Sequence, residues 1–396
     1  KENNVFQLVV QYGAGEREFP KLGYAAQLMN NAGIMGAYEP QELKEELSKL
    51  NATCHVTADD DNLYIIMEGY EATLPQACQL LSRQILMPKL DEKQLARLKG
   101  SAMGMRQQRK DNVSILNEAL RQYMLYGEKS DYIKELTDKE IYELQISELT
   151  GDINRASNYE AKVFFTGTLP FDQVYDILSK NLPLVANERP SNSPQAKDMM
   201  PVTENTVYFL PNNDAEQAQI HLYIPMQKAD KKDDVLRSAF NQYFGLDFTG
   251  IVLNEIREKR SMAYTAYAFV GTQGIAGKAS YLRGYIGTQN DKANDALDVL
   301  MGLVNDMPKN PERIDNIKSY LRQAMLTSHP SFRNKAMELV DLGYRGYTDD
   351  PAKENLPKVD ALTFDDIVKF YEENIKGKPY CISIMGNPKD IDLKRL

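Results

Sequence analysis

The chain repeats itself, and the repeat limits its fold more than any other feature. From Gly69 it reads GYEATLPQACQLLSRQILMPKLDEKQLARLK, and from Gly284 it reads GYIGTQNDKANDALDVLMGLVNDMPKNPERIDNIK. Each stretch leaves a strand end, passes a Thr or Asn/Asp cap and enters an amphipathic helix. Each helix then meets a Met-Pro stop, Met87-Pro88 or Met307-Pro308, and the chain restarts at acidic residues, Asp91-Glu92 or Glu312. Proline ends such a helix because it lacks an N–H donor and its ring collides with the preceding turn. Downstream, Thr137-Asp138-Lys139-Glu140-Ile141 matches Thr363-Phe364-Asp365-Asp366-Ile367, each opening another helix. Short apolar strands follow, predicted over 161–166 and 380–385, and each runs to a glycine, Gly167 or Gly386. A spacing of roughly 220 residues between the copies predicts two tandem related domains.

The expected domains are residues 1–186 and 204–396. Between them, 187–203 (NERPSNSPQAKDMMPVT) is rich in Pro, Ser and Asn and has no apolar period, which reads as a linker. The first domain is predicted to open with a strand over 5–12, then helices over 23–32 and 40–50. A strand pair over 53–58 and 63–69 follows, and then the long helices of the repeat. The second domain is predicted to carry strands over 206–210 and 219–224, helices over 231–244 and 248–259, and a strand pair over 265–271 and 279–287. Strands interleaved with helix pairs imply an α+β class, with each domain a mostly antiparallel sheet covered on one face by helices.

Composition narrows the function classes. With 396 residues, 42% hydrophobic and 26% charged, the chain is an ordinary globular one with room for two or three cores. The net charge of −9 is spread along the chain without a basic run, so nucleic acid and anionic lipid are not expected partners. At long range that charge slightly favours basic peptides. The longest apolar runs, such as Val5 to Val10, are strand-length, far from the roughly twenty residues of a membrane span. A start at Lys1 reads as a trimmed or excerpted product, and it leaves both the bacterial periplasm and the cytoplasm open as compartments. Cys54, Cys78 and Cys381 are far apart and odd in number, so they are expected to be structural thiols.

Most catalytic patterns are missing. Only His55, His221 and His329 are present, none at the spacing of a two-histidine zinc site. His55 and His221 fall in alternating strands and read as structural or solvent-facing; His329 precedes Pro330 in a loop. There is no G-x-S-x-G elbow, no phosphate loop and no dinucleotide-binding glycine pattern. The glycine-rich run Gly271 to Gly277 joins two strands and reads as a hairpin, with a substrate-facing loop as the alternative. One constellation stands out in GIVLNEIREKRSMAY, Gly250 to Tyr264, an amphipathic helix running into a strand. Arg257 and Tyr264 are seven residues apart and would share a face if the helix extended through both. A guanidinium and a phenol can both donate to a peptide carbonyl or its oxyanion. The same residues also read as a solvated helix end, with Arg257 paired to Glu255 or Glu258 and Tyr264 packed.

The segment Gln41 to Ala52 followed by a Thr/Asp-containing hairpin, the Met-Pro boundary with its acidic restart, Gln219-Ile220-His221-Leu222 and LNEIREKRSMAYTAY together resemble the insulinase/pitrilysin zinc peptidases. The last segment is similar to that family's L-R-E-x-x-G-L-A-Y, with Ser261 where glycine is usual. The resemblance covers nearly the whole chain and implies a LuxS/mitochondrial processing peptidase-like fold. It also implies what is missing. Where H-x-x-E-H stands in the family, this chain has Gln27-Leu28-Met29-Asn30-Asn31, so amides replace both ligands and Asn30 replaces the general base. The stretch from Gly100 to Lys110, GSAMGMRQQRK, lacks the family's third ligand, a glutamate.

The resemblance thus implies a chain that binds no zinc of its own and does not hydrolyse peptides alone. Arg257 and Tyr264 match the pair with which zinc-lacking halves of this family hold substrate backbone. The implied partners are a peptide or unfolded polypeptide and an H-x-x-E-H half or subunit that supplies zinc. Together the halves would enclose a clam-like chamber. A non-catalytic scaffold like the core proteins of respiratory complexes is the competing expectation, and a self-sufficient metallopeptidase with a hidden zinc site is a third.

Overall fold

The computed structural model describes residues 4–109, 112–182, 189–192, 195–245, 249–328 and 330–396. His329, Lys110, Phe248 and residues 187, 188, 193 and 194 of the expected linker lie outside the described residues. The class is α+β with antiparallel sheets, and the chain divides into two compact units. Among the described residues no helix is long and apolar enough to cross a membrane.

The first unit comprises residues 1–108, 136–195 and 330–339. Its strands are β1 (Val5–Tyr12), β2 (Gly33–Ile34), β3 (Thr53–Ala58), β4 (Leu63–Tyr70), β5 (Pro88–Lys89) and β6 (Ala161–Thr166). The main sheet has the order β3-β4-β1-β6, with every neighbour antiparallel. Alternation along β1 sends Phe6, Leu8, Val10 and Tyr12 into a core with Leu22, Leu28, Leu74, Leu81, Leu149 and Ile153 of the covering helices. Proline acts as expected: the helix Leu74–Leu86 stops at Met87, and Pro88 pairs with Ile34 in the small β2–β5 ladder.

The second unit comprises residues 109–135, 196–329 and 340–396. Its strands are β7 (Thr206–Pro211), β8 (Gln217–Lys228), β9 (Ala263–Thr272), β10 (Ala279–Gln289) and β11 (Cys381–Gly386). They run in the order β7-β11-β8-β10-β9, and only β7–β11 is parallel. Ile220, Leu222, Ile224, Leu282, Ile286, Ile382 and Ile384 form the helix-facing core. If β1, β3, β4 and β6 are matched in chain order to β8, β9, β10 and β11, these four strands lie in the same order in both sheets, and β7 is an additional edge strand of the second. The matched helix starts also share a cap. Thr137 and Glu140 form a reciprocal capping box, and so do Thr363 and Asp366.

Two expectations need correction in the second unit. The cover is not confined to one sheet face, because the helix Val113–Tyr126 packs on β7, β8 and β11 from the other side. Its Met124 and Leu125 are buried with Tyr223 and Cys381, and Tyr123 meets Tyr208 edge-on at 5.7 Å. That apolar end needs a partner surface and finds it on this sheet. The helix expected over 248–259 is α-helical only at Ile251–Leu253 and becomes a π-turn at Asn254–Glu258. The glycine-rich run forms a β9–β10 hairpin turn, as expected, with Gly274 and Gly277 at positive φ.

Candidate functional site

The site in the second unit begins with the apolar run Ile251, Val252, Leu253 and Ile256, which anchors the helix-to-strand segment in the core. Ile256 is fully buried, worth about 1.5–3 kcal/mol, and the following residue, Arg257, therefore faces outward. The π-turn widens the helix end, with the Lys259 N–H donating to the Asn254 carbonyl five residues back. The chain then reverses at Ser261, which sits in the left-handed region with φ 50°. The reversal is closed by hydrogen bonds from Ser261 N–H to Arg257 O at 2.8 Å and from Met262 N–H to Ile256 O at 3.0 Å.

This reversal brings Arg257 and Tyr264 together. Arg257 lies on the π-turn and Tyr264 on β9, so the shared helix face expected from their seven-residue spacing does not exist. Their meeting depends on the turn: the Arg257 guanidinium carbon lies 5.8 Å from the Tyr264 ring centroid. At an exposed site such a cation–π contact contributes about 0.5–1 kcal/mol. Tyr264 is 77% exposed and not packed. Glu255 is engaged by Lys259 and Arg260, and the Lys259 contact above all holds its carboxyl below the usual range. Arg257 instead has Glu258 at 3.6 Å, both side chains being largely exposed. Exposed donors that are weakly paired can turn to a ligand.

The pair opens onto a cleft of about 500 Å³ whose other walls include Gln217, Ser261, Met262, Thr288, Gln289 and Lys292. The sequence reading missed Gln217, Gln289 and Lys292. Lys292 carried one usable signal, a cation directly before the helix Ala293–Asn305, at the end whose dipole repels it.

The positions expected to be those of a degenerate zinc motif lie in the first unit. Gln27 is exposed on the helix Leu22–Met29, which ends before Asn30 and Asn31. Asn31 donates to the Gln27 carbonyl at 3.1 Å. Both functional atoms of Asn30 are used by one residue of β3: its Nδ2 donates to Val56 O at 2.8 Å, and Val56 N–H donates to its Oδ1 at 2.7 Å. Because β3 is the edge of its sheet, the amide completes backbone groups that no strand pairs. A zinc ion needs basic, unengaged donors at the two ligand positions, Gln27 and Asn31, and these amides do not fit one. Among the described residues, no three or more His, Cys, Asp and Glu side chains cluster as metal ligands.

The second unit contains a matching clamp that the sequence reading did not find. On the helix Asp234–Phe244, Asn241 Nδ2 donates to Val270 O at 3.0 Å, and Val270 N–H donates to Asn241 Oδ1 at 2.6 Å. Val270 lies on β9, again an edge strand and the one that begins beside Tyr264.

The remaining candidates are structural. His55 is exposed on β3, whereas His221 is buried on β8, with Nε2 3.2 Å from Asn117 Oδ1. Burial first, then the guanidiniums of Arg283 and Arg121, push His221 down to about 3. Burial pushes Cys54 and Cys78 up to about 12 and Cys381 up to about 11, so these free thiols stay protonated and unreactive.

The family model described as "Peptidase M16 inactive domain" matches residues 157–321. No curated protein matches the chain by sequence. Among solved structures, the chain is similar to a peptidase M16 inactive domain from Pseudomonas fluorescens, with TM-score 0.76 and 17% identity over 98% of this chain and 94% of that one. It is similar to the ferredoxin protease FusC, solved as a mutant with Arabidopsis ferredoxin, with TM-score 0.78 and 12% identity over 97% of this chain and 42% of that one. The periplasmic protease PqqL from Escherichia coli gives TM-score 0.74 and 13% identity over 98% and 43%. The chain thus spans less than half of FusC and PqqL but nearly all of the Pseudomonas domain. The resemblance read from the sequence holds: residues 157–321 match the model of the M16 inactive domain, and the fold of the chain is similar to those of M16 peptidases and inactive M16 domains.

Proposed function

We propose that this chain is the zinc-free half of an M16-type peptidase, holding a polypeptide for a partner half that carries H-x-x-E-H and the metal. The observation that carries this reading is the outward-facing Arg257–Tyr264 pair at the mouth of its cleft. Both groups donate hydrogen bonds, so they suit the carbonyl of the bond to be cut and, more strongly, the oxyanion that develops on it. The exposure of Tyr264 supports a peptide-holding role over a scaffold, in which a packed ring is expected. FusC's solved complex with ferredoxin, a whole protein, supports a polypeptide ligand.

The same reading takes residues 1–186 and 204–396 as tandem homologous domains of one half, the two halves closing as a clam around a chamber. Its support is the common strand order, the paired capping boxes and the paired asparagine clamps. The test is an Arg257→Ala variant in the enzyme reconstituted with its zinc-bearing half. Turnover should fall while zinc content stays constant; wild-type turnover in that variant would sink the reading.

A further inference from the structure

We propose that Lys292 makes the Arg257–Tyr264 cleft selective for a peptide carboxylate, seated beside the carbonyl that the pair holds. The proposal rests on the peptide-holding reading above and names the ligand chemistry of the same site.

The cleft wall carries two cations, Arg257 and Lys292, and one carboxylate, Glu258. Glu258 is 56% exposed, faces Arg257 at 3.6 Å, and leaves the second cation uncompensated. Lys292 has no carboxylate partner among the described residues; its Nζ reaches only the Ser261 carbonyl, at 3.5 Å. It also precedes the thirteen-residue helix Ala293–Asn305, whose N-terminal end adds positive potential. Of the acidic residues in that turn, Asp295 is engaged by Arg395 at 2.8 Å, and Asp291 is exposed and absent from the cleft wall. A lysine at this helix end opposes the dipole, and the structure supplies no local partner to offset it. An incoming carboxylate would do so. Gln217 and Gln289, cross-strand partners on β8 and β10, supply neutral donors and acceptors for peptide groups alongside.

The net charge of −9 does not cancel this preference. Charges farther than about 8–10 Å are screened at physiological salt, so the local excess of one positive charge decides the contact. An exposed ion pair alone gives about a two- to fivefold preference, and Arg257 together with the helix end raises the expectation to about three- to tenfold.

The test uses the full chain and short fluorescent peptides of one sequence. A central Glu, Gln or Lys is varied, each with a free or an amidated C-terminus, and binding is read by fluorescence polarisation. Wild type should bind the Glu peptide, or every free-acid peptide, about three- to tenfold more tightly than the neutral versions. A preference that follows the central residue identifies a side-chain carboxylate; one that follows the end group identifies a C-terminal carboxylate. Lys292→Glu should reverse the ranking without lowering the melting temperature, and Lys292→Arg should keep it. Equal affinities across the set, or a ranking that survives Lys292→Glu, overturns the proposal. Arg257→Ala should weaken every peptide, the carboxylate-bearing ones somewhat more than the neutral ones. If it does not, the peptide-holding reading fails separately, and if wild type binds none of the peptides both fail.

Discussion

The two asparagine clamps make the two units directly comparable. In the first, Asn30 holds the edge strand β3 at Val56; in the second, Asn241 holds the edge strand β9 at Val270, with the same two hydrogen bonds. The surroundings then diverge. Beside Asn241 the helix end makes a further backbone bond, Ala268 N–H to Gly245 O at 3.2 Å. That approach needs glycine, because a Cβ on Gly245 would lie 3.0 Å from both Ala268 N and Ala268 O. β9 is thus tied to its helix at two successive outward-facing residues, and its start presents Tyr264 to the Arg257 cleft. Around Asn30 nothing comparable is built: Gln27 points to solvent and Asn31 is tied to its own helix. One device serves two settings, closing a strand edge in the first unit and bracing the strand that borders the Arg257 cleft in the second.

The largest effect that could break this comparison is catalytic. In the reconstituted enzyme, Arg257→Ala should lower turnover about 10²–10³-fold, the usual loss for one oxyanion donor, whereas Asn30→Ala should leave turnover per folded molecule unchanged. Rates measured against folded protein decide it, and equal losses would mean that both corners touch the reaction.

The next effect is in pH dependence. His221 is held at about 3 in the folded chain against an ordinary 6.5, so between these values the unfolded chain binds the extra proton. Stability of the second unit should therefore be complete above pH 6.5 and fall as pH drops toward 3, by about 1.4 kcal/mol per unit from this group. Urea melts of wild type and His221→Phe at stepped pH read it, and identical slopes would remove His221 from the cause.

Smaller and more symmetrical, Asn30→Asp and Asn241→Asp should each cost about 1–3 kcal/mol, because a carboxylate cannot donate to the strand carbonyl it then faces. In a double variant the losses should add, since the two clamps share no partner. The smallest effect favours stability. Ser261→Gly should gain up to about 1 kcal/mol by relieving the left-handed backbone while leaving the melting behaviour of the first unit unaltered.

Much of the scaffold was legible. β1, β3 and β6 have the predicted bounds, and both Met-Pro stops and both Thr-initiated helices fall where they were read. These features depend on residues within a few positions of one another, through strand alternation, a missing proline N–H or a side chain capping its own helix. The candidate site was half legible. Arg257 and Tyr264 were read as a pair and do meet, but the helix assumed to join them is interrupted by the π-turn and Ser261. Asn30 was read as a lost base, and its bond to Val56, twenty-six residues away, leaves no local trace.

What the sequence alone determined about this protein is its inventory: alternating strands, punctuated helices, two stretches that each run from a strand end through a helix to a Met-Pro stop, and amides at Gln27, Asn30 and Asn31. Tertiary structure alone decided the pairings. It placed Val113–Tyr126 on the second sheet, matched Asn241 to Val270 and put Lys292 in the wall of the Arg257 cleft. The physical reason is range. Backbone propensity and capping act over one helical turn, whereas burial of an apolar helix end, closure of a strand edge and the charge of a cleft depend on groups the chain brings together only by folding.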